Sequence, residues 1–326
     1  MKAQALLAVF TLFKSLALAN GGSADEDFPQ GVKRVPLRTH SITSPYLDDS
    51  LHSRWFDYGG DAVIRTDKYI RLTSDRPSQT GYVSSRLPLT TPNFEIEFEF
   101  KISGKGNLYG DGMAMWITKE RDRMGPVFGG PDHFEGLGIF IDTYKNNRPG
   151  VTFPYVMAMV GDGKTRYSKE DDGKPNELAG CSARGLHNNQ HATKARLTYL
   201  KDGFMKLELE YKEPNKWTTC FKVAAPPLPS VPYLGFSAET GELSENHDLI
   251  SVDVSTLFLP ASQERTTGTR TGSRTPHDKK VRKEKKGGSW FWFIVKLGLI
   301  CGAAYVGYSR YIIYAKRKRQ NSQGLF

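Results

Sequence analysis

Residues 37–260 predict an all-β domain, a sandwich of two antiparallel sheets, and three observations carry that expectation. Phe94 to Ile102 alternates apolar and polar residues without a break, which is the period-two signature of a half-buried strand. Lys206 to Tyr211 and Ile250 to Val254 repeat the pattern. Gly-Asp, Lys-Asp-Gly and Asn-Asn turns punctuate these runs, and no stretch of helical period and convincing length lies between them. Many short strands separated by turn signals bury their apolar faces by packing two sheets together. One all-β domain fills a span of this length.

The segments flanking the domain read in chain order as follows. Residues 1–19 form a secretory signal peptide, with Lys2 at its charged end, an apolar run from Ala3 to Phe13 and the small-residue cleavage pattern Ala17-Leu18-Ala19. Residues 20–36, polar and Gly-rich, are expected to be a flexible N-terminal segment. Residues 261–288 are Thr, Ser, Gly, Arg and Lys with almost nothing apolar, a composition that buries no core and fits a flexible basic stalk without heptads. Residues 289–314 are long and apolar enough for one transmembrane helix, opened by Trp290-Phe291-Trp292-Phe293 at an interfacial position. Lys316-Arg317-Lys318-Arg319 follows, and positive residues favour the cytosolic side, so residues 315–326 are a cytosolic tail and the chain is a single-pass type I membrane protein.

The formal charge of +10 invites a nucleic-acid partner, but its distribution argues against one. Residues 262–326 hold 15 Lys and Arg against 3 acidic residues, which leaves 30 basic and 32 acidic residues for 1–261. The folded domain is therefore close to neutral. Of three cysteines, Cys301 falls in the span, and Cys181 and Cys220 remain for the lumenal side. An oxidising compartment makes one Cys181–Cys220 disulfide the natural reading, with two free buried thiols as the alternative. No Asn-x-Ser/Thr sequon is present.

Chemistry concentrates where an apolar strand ends in Ile141-Asp142-Thr143-Tyr144-Lys145-Asn146. An Asp, a main-chain turn and an Asn at that spacing suit an oxygen cage around a hard cation such as calcium. Asp111 in Gly110-Asp111-Gly112 opens another apolar strand, and Glu170-Asp171-Asp172-Gly173 is placed to close the cage. Two further patterns carry weaker chemistry. Glu95, Glu97 and Glu99 share one strand face, and a hydrolase would use two of them, but residues four apart on a strand lie about 13 Å apart along the backbone. The carboxyls of a retaining glycosidase pair need about 5 Å, so a solvated strand face is the expectation. His187 and His191 have metal spacing for a helix, yet Asn188-Asn189 between them reads as a solvated turn, and Asp162 in Gly161-Asp162-Gly163 reads as turn chemistry.

Several motifs together resemble the L-type, legume-lectin-like lectins of the early secretory pathway. They are Gly110 to Trp116, Gly129 to Gly138, Phe140 to Tyr144, Asp172 to Cys181 and Gly235 to Gly241. The short stalk, single span and basic tail look most like the vesicular integral-membrane lectins, since the related intermediate-compartment lectins carry a long coiled-coil stalk. The resemblance implies a concanavalin-like β-sandwich, or jelly roll, that binds high-mannose N-glycans through Ca²⁺ and is not an enzyme. By alignment, Asp142, the Tyr144 carbonyl, Asn146 and Asp172 would hold the ion. Asp111 and Asn146 would hydrogen-bond mannose, Asp172 counts in the carbohydrate site as well as in the metal set, Ser78 matches a sugar-contacting serine, and Gly241-Glu242-Leu243 matches the family's Gly-Asp-Leu sugar loop.

Two residues depart from the family pattern, Lys169 where His is common and Glu242 in place of Asp. Lys169 accepts no hydrogen bond and would repel a cation, so it is expected to turn into solvent. The terminal Leu325-Phe326 is similar to the signals by which cargo receptors enter coat vesicles. The expected role is a receptor sorting mannose-rich glycoproteins among the endoplasmic reticulum, the intermediate compartment and the Golgi. The competing readings are a sandwich glycoside hydrolase and a tether whose sugar site is vestigial.

Overall fold

The structure is a computed structural model, and it describes residues 31–260 and Arg310. The signal peptide, the stalk, the 289–314 span apart from Arg310, Cys301, the cytosolic tail and Leu325-Phe326 lie outside the described residues. Among the described residues no helix is long and apolar enough to cross a membrane.

Fifteen strands follow in chain order: β1 (Lys33–Pro36), β2 (Phe56–Gly60), β3 (Val63–Arg65), β4 (Tyr69–Thr73), β5 (Thr80–Ser85), β6 (Asn93–Ser103), β7 (Gly112–Thr118), β8 (Glu135–Asp142), β9 (Tyr155–Asp162), β10 (Ala179–Ser182), β11 (Thr193–Leu200), β12 (Phe204–Glu210), β13 (Thr218–Ala224), β14 (Tyr233–Glu239) and β15 (Asn246–Phe258). Among residues 31–260 only three single-turn 3-10 helices interrupt them, in keeping with the lack of helical period. The strands form two antiparallel sheets. One has eight strands, in the order β13-β12-β11-β6-β15-β4-β3 with β1 on β15, and the other seven, in the order β10-β9-β8-β7-β14-β5-β2. The expected sandwich is present.

The two sheets bury apolar surface differently. In β6 the alternation is complete, with Phe94, Ile96, Phe98, Phe100 and Ile102 in the core and the three glutamates on the outer face. β7 is buried along its whole length because both its faces are covered. Met113, Met115 and Ile117 join the core between the sheets, while Ala114 and Trp116 join a second cluster on the far side with Phe128, Phe134, Phe140 and Tyr167. That second cluster roofs the seven-stranded sheet with loop residues. The same parity carries Phe140 and then Asp142 onto the roofed side, so Asp142 is buried at the strand end.

One sequence expectation changes here and another is met. Residues 33–36, assigned to the flexible N-terminal segment, form β1 against the C-terminal half of β15 (Lys33↔Phe258 to Pro36↔Ser255). An edge strand needs main-chain pairing but little burial, so Lys33-Arg34 gave no alternation to read. The Cys181–Cys220 disulfide is present and joins β10 to β13, the edge strands of opposite sheets. Replacing both cysteines by Ala is expected to cost about 2–5 kcal/mol, because a crosslink over 39 residues restricts the unfolded chain. A lower urea midpoint with an intact folded baseline would show it.

Candidate cation and sugar site

One end of the sandwich gathers the loops that the sequence singles out. The Asp111 N–H donates to the Glu239 carbonyl (3.1 Å), and the Thr143 N–H donates to the Asp111 carbonyl (3.1 Å). The Ser78 N–H donates to the Gly241 carbonyl (2.9 Å). A side chain at Gly241 would stand 3.2 Å from Asp111 Oδ1, so the glycine lets the 241–243 loop lie against that carboxylate. A side chain at Gly110 would collide with Tyr144 Cβ at 2.8 Å. Ser78, Asp111, Asp142, Tyr144 and Gly241 are thus neighbours, and Glu242 and Leu243 continue the same loop.

Asp172 sits in a nest of N–H groups. Its Oδ1 accepts from the Asn146 main chain (2.9 Å) and the Asn146 side-chain amide (2.7 Å), and its Oδ2 accepts from the Asn147 (3.0 Å) and Arg148 (2.9 Å) main chains. Four donors fill the acceptor capacity of a carboxylate. To ligate a cation Asp172 must release one of them, and the Asn146 amide is the donor free to rotate. Asp142 lies beside Asp172 at 5% exposure, and burial first, then the Asp172 charge, push its carboxyl well above the usual range. Two buried carboxylates that repel each other, with an amide and a main-chain carbonyl at hand, fit a hard divalent ion. Among the described residues no three His, Cys, Asp or Glu side chains gather as a metal site, as expected of a set with only two carboxylates.

Lys169 does not turn into solvent. Its ammonium lies 3.2 Å from Asp111 Oδ2 and 3.5 Å from Glu239 Oε2, with the side chain 42% exposed. A single 3-10 turn over Lys169–Asp171 folds the residue back over the site. Burial opposes its charge, but Glu239 and Asp111 raise its pKa overall. Burial also pushes the Glu239 carboxyl up, against the pull of Lys169. The ammonium therefore occupies the acceptor expected for a sugar hydroxyl.

The remaining candidates divide clearly. Asp162 is turn chemistry, accepting from the Lys164 and Thr165 main chains, and these bonds hold its carboxyl down at about 2. His187 is not the solvated residue expected. Its side chain is 6% exposed, stacked on Tyr109 and 3.3 Å from the buried Glu245, whereas His191 is exposed. Glu245 also accepts from the Thr143 hydroxyl and lies 3.1 Å from His247. Glu95 and Glu97 pair with Arg34 and Arg196 on the outer face of the eight-stranded sheet. Glu239, Glu245 and Arg148 belong to the site and escaped the sequence reading, because nothing local marks them.

A two-sheet sandwich with acidic loops converging at one end is an architecture shared by lectins and some glycoside hydrolases, and the family match decides between them. The chain belongs to the legume-like lectin family, which it matches over residues 33–264. An L-type lectin-like domain-containing protein of Schizosaccharomyces pombe is 41% identical over 218 residues, covering 66% of this chain and 70% of that protein. Human vesicular integral-membrane protein VIP36 is 37% identical over 243 residues, covering 73% of this chain and 67% of its own length. The solved exoplasmic/lumenal domain of VIP36, in a Ca²⁺/Man-bound form, superposes with a TM-score of 0.66 at 36% identity, covering 70% of this chain and 94% of the domain. These relatives are lectins, not enzymes, and the hydrolase alternative falls with them.

Proposed function

We propose that this protein is a calcium-dependent lectin for high-mannose N-glycans, acting as a cargo receptor for glycoproteins between endoplasmic reticulum and Golgi. The observation that carries the reading is the meeting of Asp111, Asp142, Asn146, Asp172 and the Gly241-Glu242-Leu243 loop at one end of the sandwich. The VIP36 domain bound to calcium and mannose supports it. Asp142, the Tyr144 carbonyl, Asn146 and Asp172 would hold the ion, which would offset the two buried carboxylates and fix the loops for a ligand. Asn146, turned from Asp172, would present its amide N–H to a sugar oxygen. Asp111 accepts hydroxyl protons, and charged acceptors make the stronger bonds. The ammonium of Lys169 has three donors, two of which face carboxylates, so the third serves a sugar oxygen.

Glycan-array binding by the purified protein, in calcium and in chelator, tests the reading. Calcium-dependent capture of high-mannose glycans is expected. No binding by folded, calcium-loaded protein would favour the tether with a vestigial site, the reading that the Lys169–Asp111 contact favours. At saturating calcium, affinity should change less than about twofold between pH 7 and 6, since Lys169 stays charged where a histidine would titrate. A sharp loss over that interval would assign the response to another group.

The trafficking part of the reading rests on Leu325-Phe326. Deleting the pair is expected to shift the steady-state distribution toward the endoplasmic reticulum, and an unchanged distribution by microscopy would remove the export role.

A further inference from the structure

In the segment 144–150, Arg148 is the single buried residue, for Tyr144 to Asn147, Pro149 and Gly150 are all exposed. Its side chain is 7% exposed, and a buried arginine is almost always paired. One guanidinium nitrogen donates to the Tyr155 hydroxyl (3.1 Å) and to Glu177 Oε2, and another donates to the Asp172 carbonyl (3.4 Å). The group lies 4.1 Å over the Tyr155 ring. The Tyr155 hydroxyl in turn donates to Glu177 Oε1 (2.8 Å), and burial, then Glu177, push its pKa up to about 12. Guanidinium, phenol and carboxylate therefore close a triangle in which every pair is bonded.

The triangle rests on rigid elements. Tyr155 opens β9, Glu177 lies two residues before β10, and those two strands pair from Ala179↔Ala158 to Ser182↔Tyr155. On its other side stand the Asp172 carboxylate and its donors. Three successive main-chain N–H groups, of Asn146, Asn147 and Arg148, converge on the Asp172 carboxylate. Such a nest exists only while the backbone of those residues keeps its shape. Asn146 and Asn147 are exposed and give that shape no packing support. The side chain of Arg148 gives the buried anchorage.

We propose that Arg148, anchored on Glu177 and Tyr155, is the positioning residue of the cation site: it fixes the main-chain nest that aims Asp172 and so sets the affinity for calcium. The inference rests on the reading that Asp142, Tyr144, Asn146 and Asp172 hold the ion. Lysine cannot replace it, because the planar fork reaches a carboxylate, a hydroxyl and a carbonyl at once while stacking on a ring.

The test is calcium titration calorimetry on the purified full-length protein, with melting temperature in chelator as the second readout. Arg148→Met should weaken calcium binding about 10- to 100-fold, the usual effect of removing an outer partner of a metal ligand. Tyr155→Phe, which keeps the ring and loses one bond, should weaken it about two- to tenfold. The double variant Arg148→Met/Glu177→Met leaves no buried charge unpaired, so its melting temperature in chelator should recover while its calcium affinity stays low. Recovery of calcium affinity in the double variant, or normal affinity in folded Arg148→Met, would overturn the proposal and leave Arg148 a stabilising ion pair only. If wild-type protein bound no calcium, the cation-site reading itself would fall, and the proposal with it.

Discussion

In chelator, Asp142→Asn is expected to melt above the wild-type protein, and calcium should no longer raise its melting temperature. The reason is the direction of the Asp142 shift. Burial and the neighbouring Asp172 raise its folded pKa above the ordinary 3.8, so the ionised form is the one the fold disfavours. That cost is fully present above the folded pKa and vanishes below the unfolded value. The variant should therefore exceed wild type most at neutral pH, and the difference should shrink as pH falls toward 3.8. Calcium reverses the order. At 100 times its dissociation constant a ligand adds about 2.7 kcal/mol to the folded state. For a domain of this size that is about 5 to 10 °C in melting temperature. Scanning calorimetry of both proteins, with and without calcium, reads all four values. A wild type that calcium leaves unmoved would remove the metal from the account of this site.

Asp111→Asn should separate sugar binding from metal binding. Asp111 has no place in the calcium set, and its main-chain bonds to Glu239 and Thr143 survive the substitution. Its carboxylate is the acceptor that Gly241 abuts and Lys169 contacts. Two charged hydrogen bonds to sugar hydroxyls contribute about 3 kcal/mol or more, so glycan affinity should fall at least about 100-fold. Calcium affinity should stay within about threefold of wild type, because no ligand to the ion is removed. If calcium binding collapsed together with glycan binding, Asp111 would belong to the metal site instead.

The strands were legible because their signal is local. Phe94 to Ile102 shows its buried face in the sequence, and the apolar run Met113 to Ile117 shows that both its faces are covered. The loop proposed to hold the cation is marked out by the same kind of local signal, since Asp142, Tyr144 and Asn146 lie within five residues. What stayed hidden depends on distant partners. Nothing near Lys169 tells that Asp111 and Glu239 stand in its reach, since they are 58 and 70 positions away. The Asn188-Asn189 turn describes the chain after His187 correctly but not the Tyr109 ring and the Glu245 carboxylate that bury it. β1 lacked alternation because an edge strand is held by its backbone.

β15 fixes one more property of the molecule. It runs 13 residues from Asn246, just after the Gly241-Glu242-Leu243 loop, to Phe258, just before the chain leaves the domain. At the rise of an extended strand that is about 40 Å of stiff, doubly paired backbone. The strand therefore acts as a spacer rod, with the domain's C-terminal exit at one tip and the loops proposed to bind sugar at the other. The domain thus holds the candidate site about 40 Å from the point where the chain leaves it. A ligand held at those loops would stand a full sheet length from the residues that lead out of the domain.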